Sequence, residues 1–177
     1  MRDGPAGRVV ARIVECEAYQ EDDPASHSYR GLTNRTAVMF GPPGHLYVYF
    51  SYGAHWCMNV VTGTDGEGSA VLLRAAEPME GLDLMQARRG RSDRRLLCAG
   101  PGRLTQAFGV TGADNGLDLT KGTDLCLAGR ERVRPADVGV SPRVGISVAQ
   151  ERPWRFFDAT SRFVSRGAKR SLVRVDP

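Results

Sequence analysis

Residues 46–62 specify a β-hairpin more firmly than any other stretch specifies its structure. Leu46, Val48 and Phe50 fall on one side of an extended segment and Tyr47, Tyr49 and Ser51 on the other. A period of two makes two faces in a strand and none in a helix. Gly53 lets the chain reverse, and residues 55–62 read as the returning strand. A second turn, Asp65-Gly66-Glu67-Gly68, leads into a third strand over residues 69–75, which makes an antiparallel meander. Residues 8–19 alternate in the same way. Val10, Val14, Cys16 and Ala18 share one face with Arg12, and Ile13, Glu15, Glu17 and Tyr19 share the other. Helical spacing is confined to shorter pieces: residues 79–89, with Met79, Leu82, Met85 and Gln86 on a stripe, and residues 104–108 after Gly100-Pro101-Gly102. Residues 144–149 and 154–164 read as closing strands. The expected class is α+β, a single domain over residues 1–177 with a curved antiparallel β-sheet, a protruding β-hairpin and a few flanking helices.

Composition removes several functional classes. The chain has 177 residues, 41% of them hydrophobic and 25% charged, which suits a packed domain rather than a disordered one. No apolar run approaches the ~18 residues of a membrane span, and the first residues lack the apolar stretch of a signal peptide. Cys16, Cys57, Cys98 and Cys126 lie far apart and form no CxxC pair, and His27, His45 and His55 form no HExxH motif. These features predict reduced thiols, a cytoplasmic location, no metal and no cofactor.

Charge is unevenly distributed. The net charge is +4, and of 24 cations only Lys121 and Lys169 are lysines. Residues 1–34 hold four cations and six anions, whereas residues 86–103 hold six arginines and the single anion Asp93. This distribution fits an acidic pocket floor inside a phosphate-binding rim, and it also fits solvated arginines scattered over a surface. The long segment over residues 20–45, with Asp22-Asp23-Pro24 and Gly41-Pro42-Pro43-Gly44, is the length of loop that more often serves a site than merely connects.

Two groups of side chains could do chemistry. Glu15 and Glu17 point with Tyr19 to one face of their strand. A partly buried Glu17 is a competent general base, and an edge strand with a solvated polar face is the alternative. Tyr47 and Tyr49 can be aimed by their strand into a cleft where a planar base would stack, while Tyr52 stands near the hairpin tip, able to wedge into a base stack. A tyrosine surface packed beneath a helix is the alternative there.

These residues carry a resemblance. The blocks Arg12-Ile13-Val14-Glu15-Cys16-Glu17-Ala18-Tyr19, His27-Ser28, Pro43-Gly44-His45-Leu46-Tyr47-Val48-Tyr49-Phe50-Ser51-Tyr52-Gly53, Cys57-Met58-Asn59-Val60, Ala70-Val71-Leu72-Leu73-Arg74-Ala75-Ala76-Glu77-Pro78 and Leu97-Cys98-Ala99-Gly100-Pro101 resemble the alkyladenine (3-methyladenine) DNA glycosylase family. The resemblance runs from Arg12 onward and weakens after Gly129. It implies a bacterial DNA-repair enzyme that hydrolyses the N-glycosidic bond of alkylated or deaminated purines flipped out of double-stranded DNA, leaving an abasic site. By that resemblance Glu17 activates the water, and Arg74 helps hold the water and the carboxylate. Tyr19, His27 and Tyr49 line the base pocket, Asn59 excludes guanine by its 2-amino group, and Tyr52 fills the gap in the duplex. A carbonyl near Ile146 is a further water ligand. The enzyme is expected to be monofunctional and to act as a monomer without a membrane. A lyase would need a lysine nucleophile, for which Lys121 and Lys169 lie outside the matching pocket segments. A non-catalytic damaged-DNA binding module is the remaining alternative. The sequence departs from the family at its N-terminus, which begins inside a region where members have a helix and a strand, and at Cys16, where members often have Thr.

Overall fold

The computed structural model describes residues 1–122, 124–129 and 133–166. Six strands form one sheet: β1 (Val10–Tyr19), β2 (Leu46–Ser51), β3 (His55–Val61), β4 (Ala70–Glu80), β5 (Val138–Ser141) and β6 (Arg155–Asp158). Their order is β2-β3-β4-β1-β6-β5, and every neighbouring pair is antiparallel. Two helices, α1 (Leu82–Arg89) and α2 (Pro101–Phe108), and short 3-10 turns complete an α+β domain. The class expected from the alternating segments is therefore the one observed, and the meander β2-β3-β4 follows chain order.

The period of two sorts the sheet into two faces. Leu46, Val48, Met58 and Leu73 turn toward α1 and α2 and pack with Met85, Leu104 and Phe108 in the main core. Truncating one such side chain to alanine costs about 2–5 kcal/mol. The opposite face carries Tyr47, Tyr49, Asn59 and Leu72, and neither α1 nor α2 packs on it. The long loop of residues 20–45 folds over that face with two 3-10 turns, and Met39 from the second packs against Tyr47, Val61 and Ala70.

Strict alternation fails between β1 and β4, and the failure shapes the site. Ile13 opposes Ala76 and Glu15 opposes Ala75, so Val14 is an extra residue on β1; Glu15 opposes Ala75 and Cys16 opposes Leu73, so Arg74 is extra on β4. Bulges bend a strand and re-aim its side chains. Ile13 is accordingly 37% exposed while Val14 and Glu15 are both buried, contrary to the single shared face expected for Ile13 and Glu15.

Other boundaries also differ from expectation. The helix expected from residue 79 begins at Leu82, because β4 continues to Glu80 and Gly81 then turns at φ 72°. A Cβ at Gly81 would fall 2.1 Å from the Arg8 carbonyl oxygen, so only glycine fits. The strand expected over residues 144–149 is absent. The Val144 N–H donates to Glu17 and its carbonyl accepts from Arg74, the Ile146 carbonyl accepts from Gln150, and Ala149 sits at φ 50°. The strand expected over residues 154–164 stops at Asp158, whose carboxylate accepts from the Thr160 amide at 3.0 Å and hydroxyl at 2.6 Å, closing a turn. The unanticipated strand β5 supplies the sheet edge.

Candidate active site

A cavity of about 440 Å³ opens between the second face of the sheet and the 20–45 loop, a size suited to a small planar ligand. Its walls come from three sources: β2 and β3 give Tyr49 and Asn59, the 20–45 loop gives His27 and Arg35, and the irregular segment after β5 gives Val144, Gly145 and Ile146. Tyr19 and Arg74 close its inner end, and Tyr52 stands at its mouth.

The aromatic wall is tightly built. His27 meets Tyr49 edge-on with ring centroids 4.4 Å apart, and Tyr47 and Tyr49 are 5.7 Å apart. The Tyr47 hydroxyl lies 2.9 Å from His27 Nδ1. Burial, and then the Arg35 guanidinium, lower the His27 pKa to about 4, so this imidazole is neutral at physiological pH. Burial raises the pKa of Tyr49 above the usual phenol value. Tyr47, expected to share the cleft, lines the cavity although it is only 1% exposed, and it also packs against Met39. Asn59 is held by its own amide, whose Nδ2 donates to the Tyr47 carbonyl at 3.1 Å. Tyr52 occupies the turn between β2 and β3 at φ 49° and is 90% exposed. That leaves an aromatic ring free at the tip of a rigid hairpin.

The two carboxylates of β1 have separate surroundings. Glu15 is saturated: Oε1 accepts from Arg155 Nε at 2.7 Å, from the Ser165 hydroxyl at 2.9 Å and from Arg74 Nε at 3.0 Å, while Oε2 accepts from the Ser165 amide at 2.6 Å. Glu17 has fewer partners, and all of them line the cavity. Its Oε2 accepts from the Tyr19 hydroxyl at 2.9 Å, its Oε1 from the Val144 amide at 2.8 Å, and Arg74 Nε lies 3.4 Å from Oε1. Glu17 itself is fully buried and lies behind this wall rather than in it. The Tyr19 phenol is pushed above its usual range, first by burial and then by the neighbouring Glu17 charge, so it stays a proton donor to the carboxylate. Arg74, freed from the ladder by its bulge, also reaches the Val144 carbonyl at 3.4 Å. The arrangement is a carboxylate with few internal bonds, an arginine committed mostly to the other carboxylate, and an aromatic slot in front of both.

All seven residues singled out from sequence therefore converge: Tyr19, His27, Tyr49, Tyr52, Asn59 and Arg74 border one cavity, and Glu17 lies immediately behind it. Ile146 also lines the cavity, but its carbonyl accepts from Gln150 Nε2 at 3.1 Å. Lys121 is not a lining residue; it pairs with Asp118 at 3.1 Å on the surface, and Lys169 lies outside the described residues. Sequence reasoning missed Arg35 and Cys57, which line the cavity, and the buried ion pair of Asp23 and Arg143 beside the Tyr19 ring. Cys57 could have been read from the alternation, since it shares the face of Asn59, whereas nothing local to Arg143 marks it. Among the described residues no group of three or more His, Cys, Asp or Glu side chains is placed to hold a metal ion, and no helix is long and apolar enough to cross a membrane.

Comparison with known proteins agrees with this geometry. The family model for methylpurine-DNA glycosylase matches residues 1–162. A Burkholderia cenocepacia (strain HI2424) protein named "Putative 3-methyladenine DNA glycosylase" is 52% identical over 171 residues, covering 95% of this chain and 81% of the relative. Proteins of the same name from Rhodopseudomonas palustris (strain HaA2) and Methanoculleus marisnigri are 54% and 55% identical, covering 86% and 89% of this chain and 75% and 83% of each relative. The chain belongs to the methylpurine-DNA glycosylase family.

Proposed function

We propose that this protein hydrolyses the N-glycosidic bond of alkylated or deaminated purines everted from double-stranded DNA, releasing the base and leaving an abasic site. Family membership supports a DNA glycosylase role in repair, and the finer reading rests on the site. One observation carries it: the buried carboxylate of Glu17 is held by three residues, Tyr19, Val144 and Arg74, that all border an aromatic slot.

A base inside the duplex cannot enter such a slot, so the nucleotide must leave the stack at a cost of a few kcal/mol, least for a weakly paired lesion. Tyr52 takes the vacated position in the duplex. His27 and Tyr49, whose rings meet edge-on, form the aromatic side of the pocket against the flipped base, and Asn59 abuts the edge where guanine carries its 2-amino group. An N-alkylated purine is cationic, which makes it a good leaving group and draws it to the aromatic faces, by about 0.5–2 kcal/mol per ring. Departure of the base leaves oxocarbenium character on the sugar. The Glu17 anion stabilises that charge and takes a proton from the attacking water. Water reaches the carboxylate from the cavity side, between Tyr19 and Arg74, while the Tyr19 and Val144 hydrogen bonds hold it in place. Among the described residues no lysine borders the cavity, which supports hydrolysis without a lyase step.

The enclosure of Glu17 favours one other reading, a module that binds lesions and does not cleave them. Glu17→Gln separates the two. On a duplex with one hypoxanthine or 3-methyladenine, the variant binds like the parent and releases no base above background. Base release at the parent rate removes Glu17 from the mechanism, and absence of release by the parent on any alkylated or deaminated purine leaves the binding module.

A further inference from the structure

The Asp22-Asp23-Pro24 doublet in the long loop has an explanation that lies at the back of the site. Asp23 and Arg143 form a bidentate ion pair, with both side chains fully enclosed. Arg143 Nη2 donates to Asp23 Oδ1 at 2.9 Å and Nη1 donates to Asp23 Oδ2 and to the Ala18 carbonyl, the latter at 3.0 Å. The guanidinium lies 4.6 Å from the Tyr19 ring centroid and 5.2 Å from that of Trp154. Arg152 covers Trp154 at 4.6 Å and pairs with Asp22 at 3.5 Å, so the two aspartates fasten the two ends of the segment 143–152.

We propose that Asp23 and Arg143 are positioning residues for the glycosylase reaction, acting on Glu17 through the Val144 peptide and the Tyr19 ring. Val144 lies outside the strands. Its N–H is committed to Glu17 at 2.8 Å and its carbonyl accepts from Arg74 at 3.4 Å. With no ladder to place that peptide, its position follows from Arg143 one residue before it. A guanidinium gripped in a planar fork is a stiff anchor, and a lysine ammonium, a point charge on a flexible stem, cannot reproduce it. The same guanidinium backs the Tyr19 ring, whose hydroxyl holds the other oxygen of Glu17. One ion pair thus sets both hydrogen bonds on the carboxylate, although neither Asp23 nor Arg143 borders the cavity.

This inference rests on Glu17 being the base, and the experiment keeps the two apart. Asp23→Asn, Arg143→Lys and Glu17→Gln are compared in single-turnover release of hypoxanthine from a duplex, together with the Kd for that duplex and the melting temperature. Asp23→Asn and Arg143→Lys are expected to keep the parent Kd within about threefold and to lose about 10- to 100-fold in the release rate, the scale on which small misplacement of a reacting group acts. Parent-like rates with a lowered melting temperature make the pair purely structural and overturn the inference. A loss confined to Kd overturns it as well, since the pair is then part of the binding surface. If Asp23→Asn does not fold, Arg143→Lys decides, and failure of both to melt cooperatively makes the pair a folding determinant, which also overturns it. Glu17→Gln at the parent rate refutes the base itself, whatever the other two show.

Discussion

His27 shows how burial selects a protonation state. Its ring is packed edge-on against Tyr49 and bonded to the Tyr47 hydroxyl, and burial with the nearby Arg35 lowers its pKa from 6.5 to about 4. A neutral imidazole leaves the slot free of a second cation when a cationic base enters. The same shift ties stability to pH. Between pH 6.5 and about 4 the unfolded chain binds a proton at His27 that the folded chain refuses, so stability rises with pH across this window. The contribution is present above the unfolded pKa and is lost as pH falls toward 4. Urea midpoints measured at pH 7, 5.5 and 4.5 are therefore expected to fall toward acid, and His27→Gln, which keeps a hydrogen-bonding group opposite Tyr47, is expected to flatten that trend. An equal slope in the two proteins assigns the acid sensitivity to other groups. Glu17 and Glu15 make a second contrast at this scale. Identical side chains two residues apart differ because Glu15 meets two guanidiniums and Ser165, and Glu17 meets a phenol, an amide and the edge of Arg74. Alternation placed both on one face and could not rank them. The partners that rank them, Val144, Arg155 and Ser165, lie 127 to 150 positions away, and Arg74 sits at a bulge that no local pattern announces.

The β2-β3 hairpin is the most legible element, and its tip carries a cost that points to use. Strand boundaries here follow the alternation to within a residue, because one face is claimed by Leu46, Val48 and Met58 packing on the helices. Tyr52, at φ 49°, holds a left-handed conformation that costs a non-glycine residue about 1–2 kcal/mol, and its ring, 90% exposed, recovers nothing by packing. Asparagine adopts that backbone more readily. Tyr52→Asn is expected to leave stability unchanged within about 0.5 kcal/mol or to raise it. It is also expected to weaken binding to a lesion duplex by about tenfold, the scale of one lost base–aromatic stack. Fluorescence anisotropy on a duplex with one hypoxanthine reads this, and parent-like affinity rejects the wedge. Elements whose backbone bonds go to side chains were illegible for the opposite reason. Residues 144–149 have the apolar look of a strand, yet the Val144 amide serves Glu17, so their conformation is set by the site and not by a ladder.

Across the whole molecule the uneven charge of the sequence resolves into two populations. The buried anions of the acidic N-terminal third, Glu15, Glu17 and Asp23, are met by the buried cations Arg74, Arg155 and Arg143. This inner group is therefore balanced in charge rather than acidic, while Arg91, Arg94, Arg95 and Arg103 are exposed. Of these buried groups Glu15 ties the most of the fold together. From β1 it binds Arg74 of β4, Arg155 of β6 and both polar groups of Ser165, joining the meander side of the sheet to its β6-β5 side. Arg155 is 2% exposed, and among the described residues its other side-chain hydrogen bond goes from Nη1 to the Ser141 hydroxyl at 3.0 Å. Removing the carboxylate leaves that guanidinium buried beside a hydroxyl, and breaking a buried pair from one side costs about 3–5 kcal/mol. Arg74 also loses its nearer anion and is left with Glu17 alone. Glu15→Ala is accordingly expected to lower the unfolding free energy by that amount in urea titration, a large share of the stability of an ordinary domain. Glu17→Gln, which leaves the Glu15 to Arg155 bond intact, is expected to shift it far less. Equal losses in the two variants defeat the division of β1 into a structural and a chemical carboxylate, because that division requires the fold to depend on the first and the reaction on the second.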